Sequence, residues 1–336
     1  MKHEIDLSNF SLRTDLMIES INQRDNKNTT NYGEIKVTEI YVDENLSKQI
    51  NKKVGNYITI EFKDVTDIDN QKEVEKIFKK YLKKFIKDEY KRCLIIGLGN
   101  KNSTPDSLGP KVVENMIVTT HLLEITSLDI GFSEVAAFSP GVTGDTGIET
   151  YDLIDNTIKI IKPDYIIVID ALASLSIERL NKTIQMTDTG IKPGSGIGNF
   201  RKEISQDTLN IPVISIGIPT VVDAVSIVSD TFNYIYKNYE FNKQFINNPI
   251  NKIVKNTSIN YLDKEYTTNI EDKKNLLGLI GELSNEEVRM LINEVLTPIG
   301  YNLMVTPKEI DFTIKKLSQI LSNGINETIH PKLKIH

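Results

Sequence analysis

The sequence predicts an α/β protein built on a doubly wound, mostly parallel sheet with helices on both faces and further helices at its C-terminal end. Three observations predict it. From Cys93 onward the apolar runs CLIIGLGN, VAAFSP, YIIVIDA and PVISIGIP are continuous, as strands buried on both faces of a parallel sheet must be. Between or after them, VVENMIVTTHLLEI, DLIDNTIKIIK and VVDAVSIVSDTFNYIY carry apolar residues at helical spacing, which marks helices that lay one face on a core. The alternation of the two types is the rhythm of crossover connections.

Taken in order, residues 1–50 are polar, Asn-rich and weakly periodic and read as a loosely ordered leader. YITIEF at 57–62 alternates like a strand, and Val74, Ile77, Phe78, Tyr81, Leu82, Phe85 and Ile86 form the stripe of an amphipathic helix. The α/β core is expected over about 57–240 of a single domain, followed by an excursion over 241–270 and a helical part over 271–330. In that last part Ser284-x-x-Glu287 and Thr306-x-x-Glu309 are capping boxes, with Pro307 in the favoured first helical position. Ile310, Ile314, Leu317, Ile320 and Leu321 share the face by which the last helix packs, on the sheet or on a neighbouring subunit.

Composition narrows the function. A net charge of −6 over 336 residues gives no electrostatic footprint for nucleic acid, and the basic run KKYLKK at 79–84 is a solvated helix face. One cysteine excludes an internal disulfide and fits a reducing compartment. No signal-type apolar segment and no membrane-length apolar run occurs, so a cytoplasmic protein without a membrane partner is expected.

The usual catalytic sets are missing. Of the four histidines, His3, His330 and His336 lie near the termini; only His121 could serve a triad that needs a packed imidazole, and it reads instead as a helix-surface histidine. There is no H-E-x-x-H and no C-x-x-C, so no metal or other cofactor is expected, and Cys93 opens a buried strand. GLGNKNSTPDSLGP has the strand-loop-helix context of an anion site. It lacks both phosphate-loop spacings and places an aspartate at its mouth. Two Asp-Thr-Gly triplets, at Asp145 and Asp188, match pepsin-like dyads only in letters, because those enzymes are all-β; both read as turns.

What remains is carboxylates at strand ends, where an open parallel sheet forms its crevice. Asp170 ends YIIVID and Asp106 lies in the loop after CLIIGLGN. Two readings stand. Either Asp106 caps a helix and Asp170 a turn, or the pair shares a proton and activates water against a peptide carbonyl. The loop residues Gly97, Gly99 and Asn100 are expected to line that cleft and offer backbone amides to an oxyanion. Asp188, Gly190 and the glycines up to 198 are expected near its mouth.

RTDLMIES, CLIIGLGNKNSTPDSLGPKVVEN, SPGVTGDTGIET, KPDYIIVIDALAS, TDTGIKPGSGIGN, GIPTVVDAV and YNLMVTPKEIDF, collinear over nearly the whole chain, closely resemble the germination proteases of spore-forming Firmicutes. The resemblance implies a forespore endopeptidase of atypical aspartic type that initiates degradation of small acid-soluble spore proteins. It also implies a homotetrameric zymogen whose propeptide, residues 1–15, is removed by self-cleavage between Asp15 and Leu16. It places the two implicated aspartates on Asp106 and Asp170, and departs from the family's pattern at Lys101, where an aromatic residue is expected. The implied fold is similar to that of hydrogenase-maturation endopeptidases, whose nickel site includes a histidine at a strand end; no histidine follows the third or fourth core strand here. A nickel-dependent endopeptidase and a non-catalytic nucleotide-binding module are the alternatives.

Overall fold

In the computed structural model of the chain, residues 14–21, 27–124, 131–194, 201–247, 268–296 and 303–333 are described. They fall into two compact units, one of Arg13–Val221 with Thr306–His336, the other built on Val222–Val305.

The larger unit begins with β1 (Lys27–Tyr32) and β2 (Ile35–Val42), joined at Gly33 and Glu34, then α1 (Glu44–Ile50), β3 (Gly55–Glu61) and α2 (Ile68–Leu82). The α/β run follows: β4 (Arg92–Gly97), α3 (Leu108–Glu114), β5 (Glu134–Phe138), α4 (Thr143–Thr146), α5 (Thr150–Ile161), β6 (Tyr165–Ser174), β7 (Thr183–Thr187), α6 (Gln206–Leu209) and β8 (Val213–Asp223). Residues 27–50, expected as a leader, are thus ordered, 27–42 as two strands of the sheet and 44–50 as α1. In IKVTEIYV the apolar residues change face mid-strand, Ile35 and Val37 entering one core and Ile40 and Val42 another on the opposite side, so no sustained period of two marks the strand.

The strand order is β1-β2-β3-β7-β8-β6-β4-β5. Parallel pairing joins β4 to both β5 and β6. Strand β8 runs alongside β6 in the same sense, since Pro212 bonds Ile166 and Gly217 abuts Leu172. The other half, from β1 through β7 to β8, is antiparallel. The α/β architecture is as the sequence predicts, while the sheet is mixed in sense.

Continuous apolar strands divide their side chains between two layers. Cys93, Ile95, Tyr165, Ile167, Ile169, Ile184 and Met186 face one, with α2 and α3; Leu94, Ile96, Leu98, Ile166 and Val168 face the other, with α5. Each fully buried Ile or Leu contributes about 1.5–3 kcal/mol relative to exposure. In the segment VVENMIVTTHLLEI, which has a 3-10 turn at Thr120–Glu124, the α-helix reaches only Glu114. Beyond it Thr119 leaves the helix to bond Val135 through backbone and hydroxyl.

The last helix, α10 (Ile310–Ile329), belongs to this unit and buries Ile314, Leu317, Ile320, Leu321 and Ile325 in the first layer. It starts later than the expected Thr306 cap. The Thr306 hydroxyl instead donates to the Thr220 carbonyl at 2.9 Å, and the helix is entered at Glu309 without a side-chain cap. Its C-terminal end is fixed by His330, the packed histidine, whereas His121 is exposed. His330 Nδ1 accepts from Ser133 N–H at 3.2 Å and Nε2 faces the Ile117 carbonyl at 3.2 Å. Burial pushes the His330 pKa down from 6.5, opposed by the Ile117 carbonyl. A depressed pKa means the fold favours the neutral ring. Its stabilising contribution is present above the ordinary value and is lost as pH falls through the folded one. The melting temperature is therefore expected to fall as pH is lowered below 6.5, and to fall less in His330→Gln; equal falls in the two proteins would refute this assignment.

The smaller unit contains α7 (Ala224–Asn247), α8 (Ile270–Leu277), α9 (Asn285–Leu296) and β9 (Met304–Val305), which pairs with Val222 and Asp223. Arg289 Nε donates to Ser229 Oγ at 3.1 Å and Lys243 pairs with Asp272 at 2.6 Å. The Ser284–Glu287 capping box is formed in both directions. Helix α7, which the sequence reading includes in a core to about 240, falls in this unit. Periodicity reports that a helix has an apolar face, not which neighbour covers it. Most of the expected excursion, 248–267, lies outside the described residues.

Candidate active site

Strand β4 ends at Gly97, level with Ile169 of β6. Residue 170 therefore emerges beside the loop that follows β4, as adjacent parallel strands require. That loop turns tightly because its glycines allow it. Gly99 has φ +108°, and a Cβ there would lie 2.0 Å from the Asp106 carbonyl oxygen. A Cβ on Gly97 would lie 2.2 Å from the Gly109 carbonyl, so α3 packs against bare backbone. The result folds Asp106 back, and its Oδ2 accepts the Asn100 N–H at 2.8 Å. Lys101 is exposed.

Asp170 is buried at the end of an apolar run, with one oxygen accepting the Ala171 N–H at 2.9 Å. Burial pushes its pKa well above the ordinary carboxylate range, and the charges of Asp106 and then Asp15 add to the shift. Burial also raises Asp106, opposed by the Asn100 amide. The two sequence-predicted aspartates lie close enough for the Asp106 charge to act on Asp170. They differ in kind: Asp170 favours its proton, and Asp106 has a donor that supports its charge.

Residues 14–19 sit on the same site. Asp15 N–H donates to the Ala173 carbonyl at 3.2 Å, and Asp15 Oδ2 accepts the Ala173 N–H at 2.9 Å. This is half of a strand addition, with a side chain standing in for the second backbone partner. Leu16 and Met17 are fully buried, Met17 against Ile40, Val42 and Tyr57. Glu19 Oε2 accepts from Leu175 N–H and Oε1 from Ser176 N–H, at 2.9 and 3.1 Å, and Arg179 stands 3.5 Å away. Lys52 donates to the Thr14 carbonyl at 2.9 Å; burial lowers its pKa, offset by Asp15 and Glu19. Lys52, Gln185, Ser176 and Arg179 belong to no motif, so spacing alone did not single them out.

Other expectations land elsewhere. Asp188 binds Asn56 N–H at 2.8 Å where β3 begins, and Gly190 abuts Ile204 and Ser205 ahead of β8. Both lie toward the N-terminal ends of the parallel strands, away from Asp170, because β7 runs antiparallel to β8 and carries its following loop to the opposite edge. Residues 195–198 of that loop lie outside the described residues. Asp145 is exposed in α4, so the triplets form no pair. In the Gly97–Asn100 loop the Leu98 N–H bonds Ile169 and the Asn100 N–H bonds Asp106, leaving neither for an oxyanion or a phosphate. The Cys93 thiol is buried and pushed up to about 12. Among the described residues no group of three or more His, Cys, Asp or Glu side chains is placed to hold a metal ion, and no helix is long and apolar enough to cross a membrane.

The family model described as germination protease matches residues 11–336. The germination proteases of Bacillus cytotoxicus and of Bacillus cereus strain AH187 are each 44% identical over 99% of this chain and 97% of their own. Among solved structures, the NiFe hydrogenase maturation protease HycI of Thermococcus kodakarensis aligns with TM-score 0.29 and 16% identity, over 42% of this chain and 80% of that one. On the family match and the identity to its relatives, the chain belongs to the germination protease family.

Proposed function

We propose that this germination protease is a zymogen that cuts its own Asp15–Leu16 bond by an aspartic-type mechanism and then initiates cleavage of small acid-soluble spore proteins. The observation that carries the reading is the seating of Asp15 on Ala173, three positions beyond Asp170, close enough that the Asp15 charge raises the Asp170 pKa. In this reading Asp106 is the base. It takes a proton from water, whose oxygen adds to the Asp15 carbonyl carbon. Asp170 enters protonated and delivers that proton to the Leu16 nitrogen as the C–N bond breaks. Two neighbouring carboxyls with unequal environments suit this division, since one keeps its proton where the other ionises. The homotetramer, the forespore location and the spore-protein substrate rest on the family resemblance.

The test is to incubate the full chain, sequence the N-terminus of the product, and supply small acid-soluble spore protein in parallel. A new N-terminus at Leu16 is expected, with both cleavages slowed about 10²–10⁴-fold in Asp106→Asn, the range for losing one acid-base group. A product beginning elsewhere, or near-native cleavage by folded Asp106→Asn, would sink the proposal.

A further inference from the structure

Acyl transfer needs donors aimed at the carbonyl oxygen that becomes negative. The Leu98 and Asn100 amides of the loop after β4 are already committed. The Asp15 carbonyl has another partner: Gln185 Nε2 donates to it at 3.0 Å, with Lys52 Nζ at 3.5 Å. The other end of the same amide, Gln185 Oε1, accepts the Met17 N–H at 2.5 Å. The orientation is fixed by chemistry. A backbone N–H can only donate, so the atom facing Met17 is the oxygen, and the NH2 must face Asp15.

The strand pattern explains the placement. Ile184 and Met186 enter the layer that holds Ile167 and Ile169, so period two sends Gln185 to the opposite face, the face of Asp170. Gln185 pairs across the sheet with Gly217 of β8, the strand between β7 and β6. A glutamine amide buried in the middle of a sheet must find partners. Here both are backbone groups of residues 15–17, so it reads the chain without regard to sequence.

We propose that Gln185 is a catalytic residue for the Asp15–Leu16 bond, its Nε2 stabilising the oxyanion on Asp15 while its Oε1 holds the Met17 amide in register. As water adds to the Asp15 carbon, the carbonyl π pair moves onto the oxygen that Nε2 faces; it returns when the bond to the Leu16 nitrogen breaks. The same fork would grip the backbone of a substrate bound in trans. This inference rests on Asp15–Leu16 being the bond that is cut.

Gln185→Glu separates the two ends of the amide, since a carboxylate accepts from Met17 but donates nothing to Asp15. Gln185→Met removes both. The full chain, each variant and Asp170→Asn are compared by first-order self-cleavage rate, melting temperature and hydrogen exchange of the Met17 amide. Loss of one oxyanion donor predicts a rate about 10²–10³-fold lower in Gln185→Glu with Met17 protection retained. Gln185→Met is expected to lose rate and protection together. A merely structural Gln185 would leave Gln185→Glu cutting at the wild-type rate. Cleavage within about threefold of wild type by either folded variant, with Asp170→Asn inactive, overturns the role of Gln185 and leaves the proposed reaction standing. Rapid cleavage by Asp170→Asn overturns the reaction itself.

Discussion

Asp170→Asn is expected to make the protein more stable at neutral pH while cleavage falls by about 10²–10⁴-fold, the range for an acid-base group. The two effects share one cause. Burial, Asp106 and Asp15 raise the Asp170 pKa, so the fold favours the protonated carboxyl. The stability it contributes is complete below the ordinary value of 3.8 and is lost as pH rises through the folded value. At pH 7 an unfolded chain ionises this residue freely, and the folded chain gains nothing from doing so. An asparagine of the same shape removes the conflict. Its oxygen still accepts the Ala171 N–H, but it has no proton to give. The melting temperature should rise by several degrees, at about 2–4 °C per kcal/mol for a unit of this size, and the gain should shrink as pH falls toward 4. A lower melting temperature in the variant at pH 7 would show that Asp170 is held as a carboxylate by interactions stronger than those described above.

Gly99→Ala should do the opposite, lowering stability and cleavage together. At φ +108° an L side chain is strained, and its Cβ would lie 2.0 Å from the Asp106 carbonyl oxygen, a backbone atom that cannot rotate away. Positive φ alone costs of order 1–3 kcal/mol. The remaining relief is for the loop to move, which breaks the Asn100–Asp106 bond and displaces the Asp106 carboxyl. A shift of about 1 Å at a reacting group can cost 10²-fold in rate, so a loss of at least that size is expected, with a melting temperature several degrees lower. A variant that cuts and melts like the wild type would mean the loop has another low-energy path. Gly33→Ala is the control for positive φ without a clash, since Gly33 has φ +59° but a Cβ there meets nothing within 4 Å; it should lower the melting temperature and leave cleavage unchanged.

Both positions were partly legible in the sequence. An apolar run broken by a carboxylate announces Asp170, although β6 continues past it to Ser174, and the parallel register between β4 and β6 delivers Asp106 to it. The misplacement of Asp188 has a definite origin. The expectation that strand C-termini converge on one crevice holds only for parallel strands, and TIQMT, inserted antiparallel between β3 and β8, sends its following loop the other way. Nothing local to TIQMT states its direction; that is decided by partners distant in the chain. Lys52, Gln185 and Arg179 escaped for a related reason. Each acts through backbone groups or charges of residues 14–19, and such contacts impose no pattern on a sequence. The hairpin β1-β2 was hidden by polar outward residues, which an edge of a sheet requires.

The interleaving of β3 and β7 has a consequence for the order in which the protein is made. Tyr57 through Glu61 pair with Thr183 through Thr187, so the first three strands leave the ribosome without a neighbour on one side and wait until more than half of the chain has been made. The grip on Asp15 has the same delay: Ala173 and Gln185 lie 158 and 170 residues downstream of it. No nascent fragment ending before these residues can hold that peptide bond in place. Cleavage at this bond would therefore register completion of the sheet, and a chain that stalled or mispaired would keep its N-terminal segment as a mark of the unfinished fold.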